Sequence, residues 1–193
     1  MKSRIFKVKK NETVKHTNKL GTILLFVLGL SITQFQCQNT LKINPNFSQV
    51  EFDKMADEVS NGKVLDISAK MFKMEKESYL ILDCREENEY EISHIKNARR
   101  VGFDDFNSSQ LEDISKDAKI VTYCLIGKRS EKIGEKLQDA GYTNVHNLHG
   151  SMLSWMNEGN PVIDSRGKQT VKIHGFKKEL GFEKYSKVGE VVY

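Results

Sequence analysis

Residues 119–130 read Lys-Ile-Val-Thr-Tyr-Cys-Leu-Ile-Gly-Lys-Arg-Ser, and their pattern predicts a strand followed by a helix. Its opening is rich in β-branched and aromatic residues, which predicts a buried strand. After it, Ile133 and Leu137 recur at helical spacing, and Gly141 stands where that helix would stop. Cys124 is therefore predicted to lie in a short loop between the end of a strand and the start of a helix.

The loop that follows Cys124 favours a reactive thiolate. Backbone N–H groups at a helix start are unpaired and carry partial positive charge, and Lys128 and Arg129 add two full charges. Such surroundings lower the pKa of a cysteine from about 8.5 toward neutrality, so the nucleophilic thiolate is populated. A small buried core residue is the alternative for a cysteine at a strand end. The glycine and two cations that follow favour the nucleophile.

Three further segments carry a resemblance to a known family. Residues 81–90, Ile-Leu-Asp-Cys-Arg-Glu-Glu-Asn-Glu-Tyr, resemble the D-V-R-x-x-x-E-F signature of the rhodanese-like sulfurtransferases. Residues 94–98 are similar to the G-H-I-x-G-A pattern of that family, with two of its glycines replaced. Residues 147–155 and 159–162 resemble its closing L-x-G-G-x-x-x-W and G-x-P-V patterns. The resemblance extends over residues 62–163.

The resemblance implies an α/β fold, a rhodanese-like three-layer sandwich with a central, mostly parallel five-stranded sheet and helices on both faces. The residues agree, because apolar strands alternate with short helices, as in a parallel sheet. Ligands of such a sheet bind beyond the carboxyl ends of its strands, where Cys124 is placed. The predicted elements are a helix at 47–59 capped by Ser48, a strand at 63–67, a helix at 69–77, strands at 79–83, 98–103 and 119–123, a helix ending at Gly141 and a strand at 144–148.

The resemblance also implies transfer of a sulfane sulfur through a persulfide on Cys124. The thiolate takes the outer sulfur of a small sulfur-containing anion, and a thiol, cyanide or a protein cysteine then accepts it. Arg129 is expected to hold the donor or to brace the loop, and Ser130 to cap the helix start. Substrate contacts are assigned to the whole loop, namely Leu125, Ile126, Gly127, Lys128, Arg129 and Ser130.

Leu125 departs from the commonest loop of the family, in which an arginine often stands at this position. The missing charge, partly replaced by Lys128, makes a persulfide or polysulfide donor as good a candidate as thiosulfate. Four residues separate Cys124 from Arg129, whereas the related phosphatases of this fold have five, so the shorter loop suits sulfur better than a phosphoryl group. The rival from another class is a non-catalytic binding or redox-sensing module at the cell envelope.

Several residues near the loop are expected to support it. Asp83 and Arg85 match the D-x-R of the family and are read as a buried ion pair, with Glu89 in the same network. Cys84, between them, is either a core residue or a resolving thiol that forms a disulfide with Cys124. The three cysteines of the chain fit no disulfide framework.

The remaining chemical signals are weaker. His94 and Trp155 are expected to pack structurally, and His149 occupies a usual glycine position of the family without an evident role. No set of His, Cys and carboxylate residues has the spacing of metal ligands, so we predict no metal and no cofactor.

The first 40 residues carry most of the basic character of a chain whose net charge is +4, so the charge indicates no nucleic-acid partner. After Lys19 comes an uncharged run at 21–33, which matches an export signal and is short for a membrane span of about 20 residues. Residues 1–36 are therefore predicted to be an export signal, which places the protein in the cell envelope.

Cys37 stands where a bacterial lipoprotein carries its lipid, although the residues before it fit that pattern poorly. Lipid attachment at Cys37, a cleaved soluble form and an uncleaved membrane anchor all stay open. Beyond the signal we predict a linker at 37–47, a rhodanese-like domain at 48–163 and an extension at 164–193. The extension contains two strand-like runs, and it is either an edge addition packed on the domain or a partner-binding piece.

Overall fold

The computed structural model describes residues 43–193, which form a five-stranded parallel sheet with helices on both faces. The predicted export signal, Cys37 and the first part of the linker lie outside the described residues. In space the strands follow the order β1-β5-β4-β2-β3, and this confirms the predicted three-layer α/β fold. The strands are β1 (Leu65–Ile67), β2 (Leu80–Asp83), β3 (Arg99–Arg100), β4 (Ile120–Tyr123) and β5 (Val145–Leu148).

Short helices cover the two faces of this sheet. The first helix begins as predicted, with the Ser48 hydroxyl accepting the N–H of Glu51 at 3.4 Å. No helix within residues 43–193 is long and apolar enough to cross a membrane. The helices are α1 (Gln49–Val59), α2 (Ala69–Glu75), α3 (Glu87–Ile92), α4 (Lys128–Asp139) and α5 (Ser151–Asn157), with 3₁₀ turns at Lys76–Ser78 and Ser108–Leu111.

Strand β4, in the centre of the sheet, is covered by helices on both faces. All four of its residues are buried, as expected for a parallel strand covered on both sides. Val121 and Tyr123 pack into a core with α1, α2 and α5, whereas Ile120 packs into a second core with Ile133 of α4. Because side chains alternate along a strand, Cys124 falls on the face of α4.

Predicted and observed strands agree to within two residues, except at β3. The sequence predicted a strand over 98–103, but only Arg99–Arg100 pair with β2. The strand stops because Gly102 takes a φ of 71°, a left-handed conformation that breaks the extended backbone. Val101 still donates its N–H to the Asp83 carbonyl at 2.9 Å, so the edge stays attached.

The extension packs on the domain, which is one of the two readings left open by its sequence. Its strands do not join the five-stranded sheet, because they pair among themselves or with the chain just before the extension. Ile173 is fully buried in the core that contains α5. Asn157 of α5 donates to the Tyr185 carbonyl and accepts the Lys187 N–H at 2.7 Å. The extension contains β7 (Gln169–Thr170), β8 (Lys172–His174) and β9 (Glu190–Val192), and β6 (Val162–Ile163) lies just before it.

Candidate active site

Cys124 lies directly after β4, at the edge where the parallel strands end. The chain then turns at Gly127, whose φ of 112° lies in the region that favours glycine, and enters α4 at Lys128. The turn folds the loop back over the cysteine, so the Gly127 N–H donates to Cys124 Sγ at 3.2 Å. The predicted strand–loop–helix arrangement is confirmed.

Residues at the start of α5 form hydrogen bonds with the backbone of the Cys124 loop. Ser151 accepts the backbone N–H of Cys124 on its hydroxyl at 3.0 Å. In return, the N–H groups of Met152 and Leu153 donate to the carbonyls of Cys124 and Leu125, each at 3.2 Å. These three contacts fix the backbone on both sides of the sulfur. Sequence reasoning missed Ser151, although it follows directly on the glycine of the closing motif.

Opposing effects set the pKa of the Cys124 thiol. Burial opposes ionisation, since the residue is only 1% exposed. The charge of Arg129 and hydrogen bonds from the backbone N–H groups of Ser130 and Gly127 favour the thiolate. The favourable contacts win, and the pKa of Cys124 lies below its ordinary value. The residue predicted as nucleophile therefore has the electrostatic surroundings that a nucleophile needs.

Arg129 is fixed by a partner that the sequence assigned elsewhere. Its guanidinium donates two hydrogen bonds of 2.6 Å to the two carboxylate oxygens of Glu89, a bidentate and nearly buried pair. Glu89 was expected in the network of Asp83 and Arg85; its carboxylate makes its direct ion pair with Arg129 of α4, and its charge also helps to raise the pKa of Arg85. Of the two roles predicted for Arg129, these contacts support bracing of the loop.

The ion pair predicted between Asp83 and Arg85 is confirmed. Arg85 donates from Nε and Nη2 to the two oxygens of Asp83 at 2.9 and 2.6 Å, and both side chains are fully buried. Arg85 also donates to the carbonyl of Ser93 at 2.6 Å, which ties the end of β2 to the segment after α3. The pair is therefore part of the frame that holds the carboxyl edge of the sheet.

Ser130 does not cap α4, contrary to the prediction. The residue before the helix is Gly127, and Ser130 is already the third residue inside it. Its hydroxyl lies 3.0 Å from the Gly127 carbonyl and 2.7 Å from Oδ1 of Asn147 on β5. Ser130 thus acts as a donor that fastens the first turn of α4 to the sheet.

Cys84 is a second free thiol beside the first. It follows β2 as Cys124 follows β4, and its N–H donates to the Tyr123 carbonyl at 2.8 Å. Burial raises the pKa of the Cys84 thiol well above its ordinary value, and negative charge on Cys124 and Asp83 raises it further. This environment favours the core role. A disulfide with Cys124 stays a prediction, and a count of free thiols after mild oxidation tests it.

A cavity of about 480 Å³ opens over Cys124. Among the six residues assigned to substrate contact, Leu125, Ile126, Lys128 and Arg129 line it, whereas Gly127 and Ser130 do not. The opposite walls were missed by the sequence reasoning, because no motif shows where a distant segment packs. They include Val59 of α1, Phe103, and three residues of the extension, Phe176, Leu180 and Phe182.

His94 and Trp155 pack against neighbouring residues, as predicted, and His149 lies near the surface. His94 stacks on Tyr90 at 3.8 Å between ring centroids and contacts the Tyr90 carbonyl through Nδ1 at 3.0 Å. Trp155 is buried and donates to the Pro161 carbonyl at 2.9 Å. His149 faces Asp57 and Asp66 on the surface. Within residues 43–193, no group of three or more His, Cys, Asp or Glu side chains is placed to hold a metal ion.

Comparison with known proteins gives the class of this domain. The family profile of the rhodanese-like domain matches residues 69–158. That range contains the Cys124 loop, both ion pairs and α5, which together form the site described above. Residues 69–158 therefore form a rhodanese-like domain.

Individual relatives cover only parts of this chain. It is 28% identical over 122 residues to the tRNA uridine(34) hydroxylase of Aster yellows witches'-broom phytoplasma, over 60% of this chain and 40% of the relative. The enzyme of the same name from Leptospira interrogans is 32% identical over 111 residues, 55% of this chain and 30% of the relative. The chain thus spans less than half the length of these two relatives.

A solved structure supports the fold. The thiosulfate sulfurtransferase from Pseudomonas aeruginosa superposes with a TM-score of 0.50 at 17% identity. The superposition covers 61% of this chain and 23% of that chain. At this level of identity, the likeness concerns the fold alone.

Proposed function

We propose that this protein is a sulfurtransferase that carries a sulfane sulfur as a persulfide on Cys124. One observation carries the proposal, namely a thiol of lowered pKa at the base of an open cavity. The thiolate is the form of cysteine that attacks sulfur, so a lowered pKa makes the residue reactive near neutrality. Backbone N–H groups that point at Sγ also suit the negatively charged persulfide that the reaction would leave behind.

The proposed reaction has two displacement steps. The Cys124 thiolate attacks the outer sulfur of the donor, a new S–S bond forms, and the old bond to that sulfur breaks. The leaving group departs with the electron pair, as sulfite when thiosulfate is the donor. A thiophilic acceptor such as cyanide or a thiol then attacks the outer sulfur of the persulfide, which returns Cys124 to the thiolate.

Thiosulfate and persulfide or polysulfide compounds are both proposed as donors. Leu125 contributes an apolar wall, and the charge of Arg129 is paired with Glu89. The lysines that remain on the cavity are Lys128 and Lys132. Two lysines beside an apolar wall are compatible with thiosulfate and also with a persulfide that has an organic body, so the cavity does not single out thiosulfate.

Turnover tests this proposal. Thiocyanate is measured after the full-length protein is mixed with cyanide and either thiosulfate or inorganic polysulfide. We expect turnover by the wild-type protein and none above background by Cys124→Ser. Cys84→Ser is the matched control and should keep its activity, since Cys84 contributes no atom to either step. Full activity of Cys124→Ser would contradict the proposal, and inactivity of the wild type with both donors would favour a binding or redox-sensing module.

We also propose that the substrates are small sulfur compounds and not nucleic acid. The name of the two relatives mentions tRNA, but it belongs to proteins of which this chain spans less than half. The cavity walls are largely apolar, whereas a groove for nucleic acid needs a run of positive charge. Retardation of tRNA by the protein on a native gel at physiological salt would contradict this.

Export to the cell envelope is proposed on the sequence of residues 1–36 and on Cys37. Cell fractionation with intact-mass measurement separates the three forms. A lipidated protein is found in the membrane fraction at the mass of the cleaved chain plus the lipid, and the Cys37→Ala variant lacks that lipid mass. An uncleaved anchor stays in the membrane at full mass in both proteins, and a cleaved soluble form stays outside the membrane in both. Full-mass protein in the cytoplasm would contradict export.

A further inference from the structure

The C-terminal extension forms one wall of the cavity over Cys124. Phe176, Leu180 and Phe182 line the cavity, although all three lie beyond the residues that match the family. Facing them are Leu125 and Ile126 of the cysteine loop. The extension therefore contributes two phenylalanines and a leucine to the same cavity that Cys124 lines.

The backbone holds Phe176 at the cavity in a conformation that costs energy. Its φ is 64°, which an aromatic residue rarely adopts. The Phe176 N–H donates to Nδ1 of His174 at 3.0 Å, and the ring lies 4.8 Å from the Arg129 guanidinium. Gly175 packs so closely that an added Cβ would lie 2.6 Å from the side chains of Val191 and Tyr193. Such strain persists only where the surroundings enforce it, and it is common at ligand sites.

The size of the cavity does not match thiosulfate. A volume of about 480 Å³ falls within the range of pockets for organic ligands, whereas thiosulfate has five heavy atoms and no apolar surface. Aromatic and aliphatic walls offer nothing to a small inorganic anion. They stabilise a ligand that has apolar surface of its own to remove from water.

The charges on the cavity suit a negative group next to the transferred sulfur. Lys128 and Lys132 lie one turn apart on α4, and both line the cavity. Of its two acids, Glu86 already accepts the N–H groups of Phe103 and Asp104 on its carboxylate at 3.2 and 3.3 Å. Among the described residues, neither Lys128 nor Lys132 makes an ion pair with Glu86, with the second acid Asp104 or with any other carboxylate, so both are available to an anionic group of the ligand.

We propose that the cavity binds an organic sulfane-sulfur donor, with an apolar body against the extension and its sulfur at Cys124. The inference rests on the proposed sulfur transfer and names its substrate class. For a thiosulfonate, R–SO₂–S⁻, the Cys124 thiolate attacks the outer sulfur and forms a new S–S bond. The bond from that sulfur to the sulfonyl group breaks, and the sulfinate R–SO₂⁻ leaves with the electron pair.

Two probes with the same reacting group and different bodies test the inference. The kcat/KM for sulfur transfer to cyanide is measured for benzenethiosulfonate and for methanethiosulfonate, and the ratio of the two is compared between variants. The ratio is the kcat/KM for benzenethiosulfonate divided by that for methanethiosulfonate. Because the intrinsic reactivity of each probe is the same with every variant, it cancels when the ratio is compared between variants. We expect Phe176→Ala and Leu180→Ala each to lower the ratio by about fivefold to tenfold, because each substitution removes apolar surface against which the phenyl ring of benzenethiosulfonate would pack. Val171→Ala is the control, since Val171 is an exposed apolar residue of the same extension that does not line the cavity.

The outcomes separate this inference from the function on which it rests. A ratio that falls in both cavity variants and stays at the wild-type value in Val171→Ala supports the inference. A ratio unchanged in Phe176→Ala and Leu180→Ala, with measurable transfer, overturns the substrate class and leaves sulfur transfer standing. No transfer by the wild-type protein from either probe overturns the substrate class, and it overturns sulfur transfer as well when thiosulfate and polysulfide also fail as donors.

Discussion

Cys84 and Cys124 occupy equivalent places on neighbouring strands and have opposite chemistry. Each follows its strand by one residue, in the register that pairs Asp83 with Tyr123, and both are almost completely buried. Yet the pKa of Cys84 is raised well above its ordinary value and that of Cys124 is lowered. Burial alone makes a thiol inert, and the segment that comes next decides whether it reacts.

The chain after Cys84 runs to Arg85, whose charge is taken up by Asp83. After Cys124 it instead turns at Gly127 and directs N–H groups at the sulfur. Helix α4 then brings Arg129 within range of the thiolate. The pair of cysteines therefore separates the effect of burial from the effect of the loop.

The largest expected difference between the two thiols is in their rate of alkylation. Of the two cysteines in the described domain, iodoacetamide at pH 7 should modify Cys124 in the folded protein, because the cavity exposes it to small reagents. Cys84 should react at least about 10³-fold more slowly, because it needs an opening of the core. Peptide mapping over time measures both rates. Comparable labelling of Cys84 and Cys124 in the folded protein would show that the loop does not set the reactivity of Cys124.

The frame beside Cys84 is expected to matter for stability. Asp83→Ala leaves the Arg85 charge buried without a partner, which should lower the free energy of unfolding by about 3–5 kcal/mol. Glu58→Ala removes the partner of Lys54 in an exposed ion pair on α1 and should cost within about 1 kcal/mol. Urea denaturation measures both variants. A small loss in Asp83→Ala would show that the frame is not held by this pair.

The pH dependence of Cys124 should follow the charge of Arg129. A lowered pKa means that the thiolate persists to lower pH, so the alkylation rate of the wild type should start to fall only below the ordinary cysteine range. Arg129→Met combined with Glu89→Gln removes the cation without leaving a buried carboxylate. Its alkylation midpoint should move to higher pH, and Arg129→Lys should move it less. An unchanged midpoint in the double variant would assign the lowered pKa to the N–H groups alone.

The smallest predicted effect concerns the turn at Gly127. An alanine there has room, since its Cβ would lie 3.5 Å from the nearest side chain, so the cost is backbone strain of about 1–3 kcal/mol. Gly141, with a φ of 89° and open space, is the matched control at the far end of α4. Both variants should lose stability, and only Gly127→Ala should also slow alkylation of Cys124. Equal alkylation rates in the two variants would separate the turn from the reactivity.

Much of the fold and of the reacting loop could be predicted from the sequence, because these signals are local. The runs at β2 and β4 are largely apolar, and Cys124, Gly127 and Arg129 lie within a few residues of one another. Local spacing fixes which backbone groups meet in such a loop. Asp83 and Arg85 are two residues apart and were correctly paired for the same reason.

Contacts between distant residues were beyond the sequence. Glu89 meets a partner 40 residues away, and its assignment depends on how α3 is turned toward α4. The hydroxyl of Ser130 donates a hydrogen bond to Asn147 on β5 and does not cap the start of α4. Phe176 reaches the cavity only because the extension folds back over the domain, which no periodicity within the extension indicates.

Intact mass shows whether Cys124 carries a persulfide. Each full-length protein is prepared on a Cys37→Ala background, so that Cys84 and Cys124 are the thiols tested, and the reduced protein is weighed before and after exposure to polysulfide and again after cyanide is added. The wild-type protein and Cys84→Ser should each gain one sulfur atom and lose it to cyanide, and Cys124→Ser should gain none. A sulfur atom gained by Cys124→Ser, or none gained by the wild type, would contradict the account.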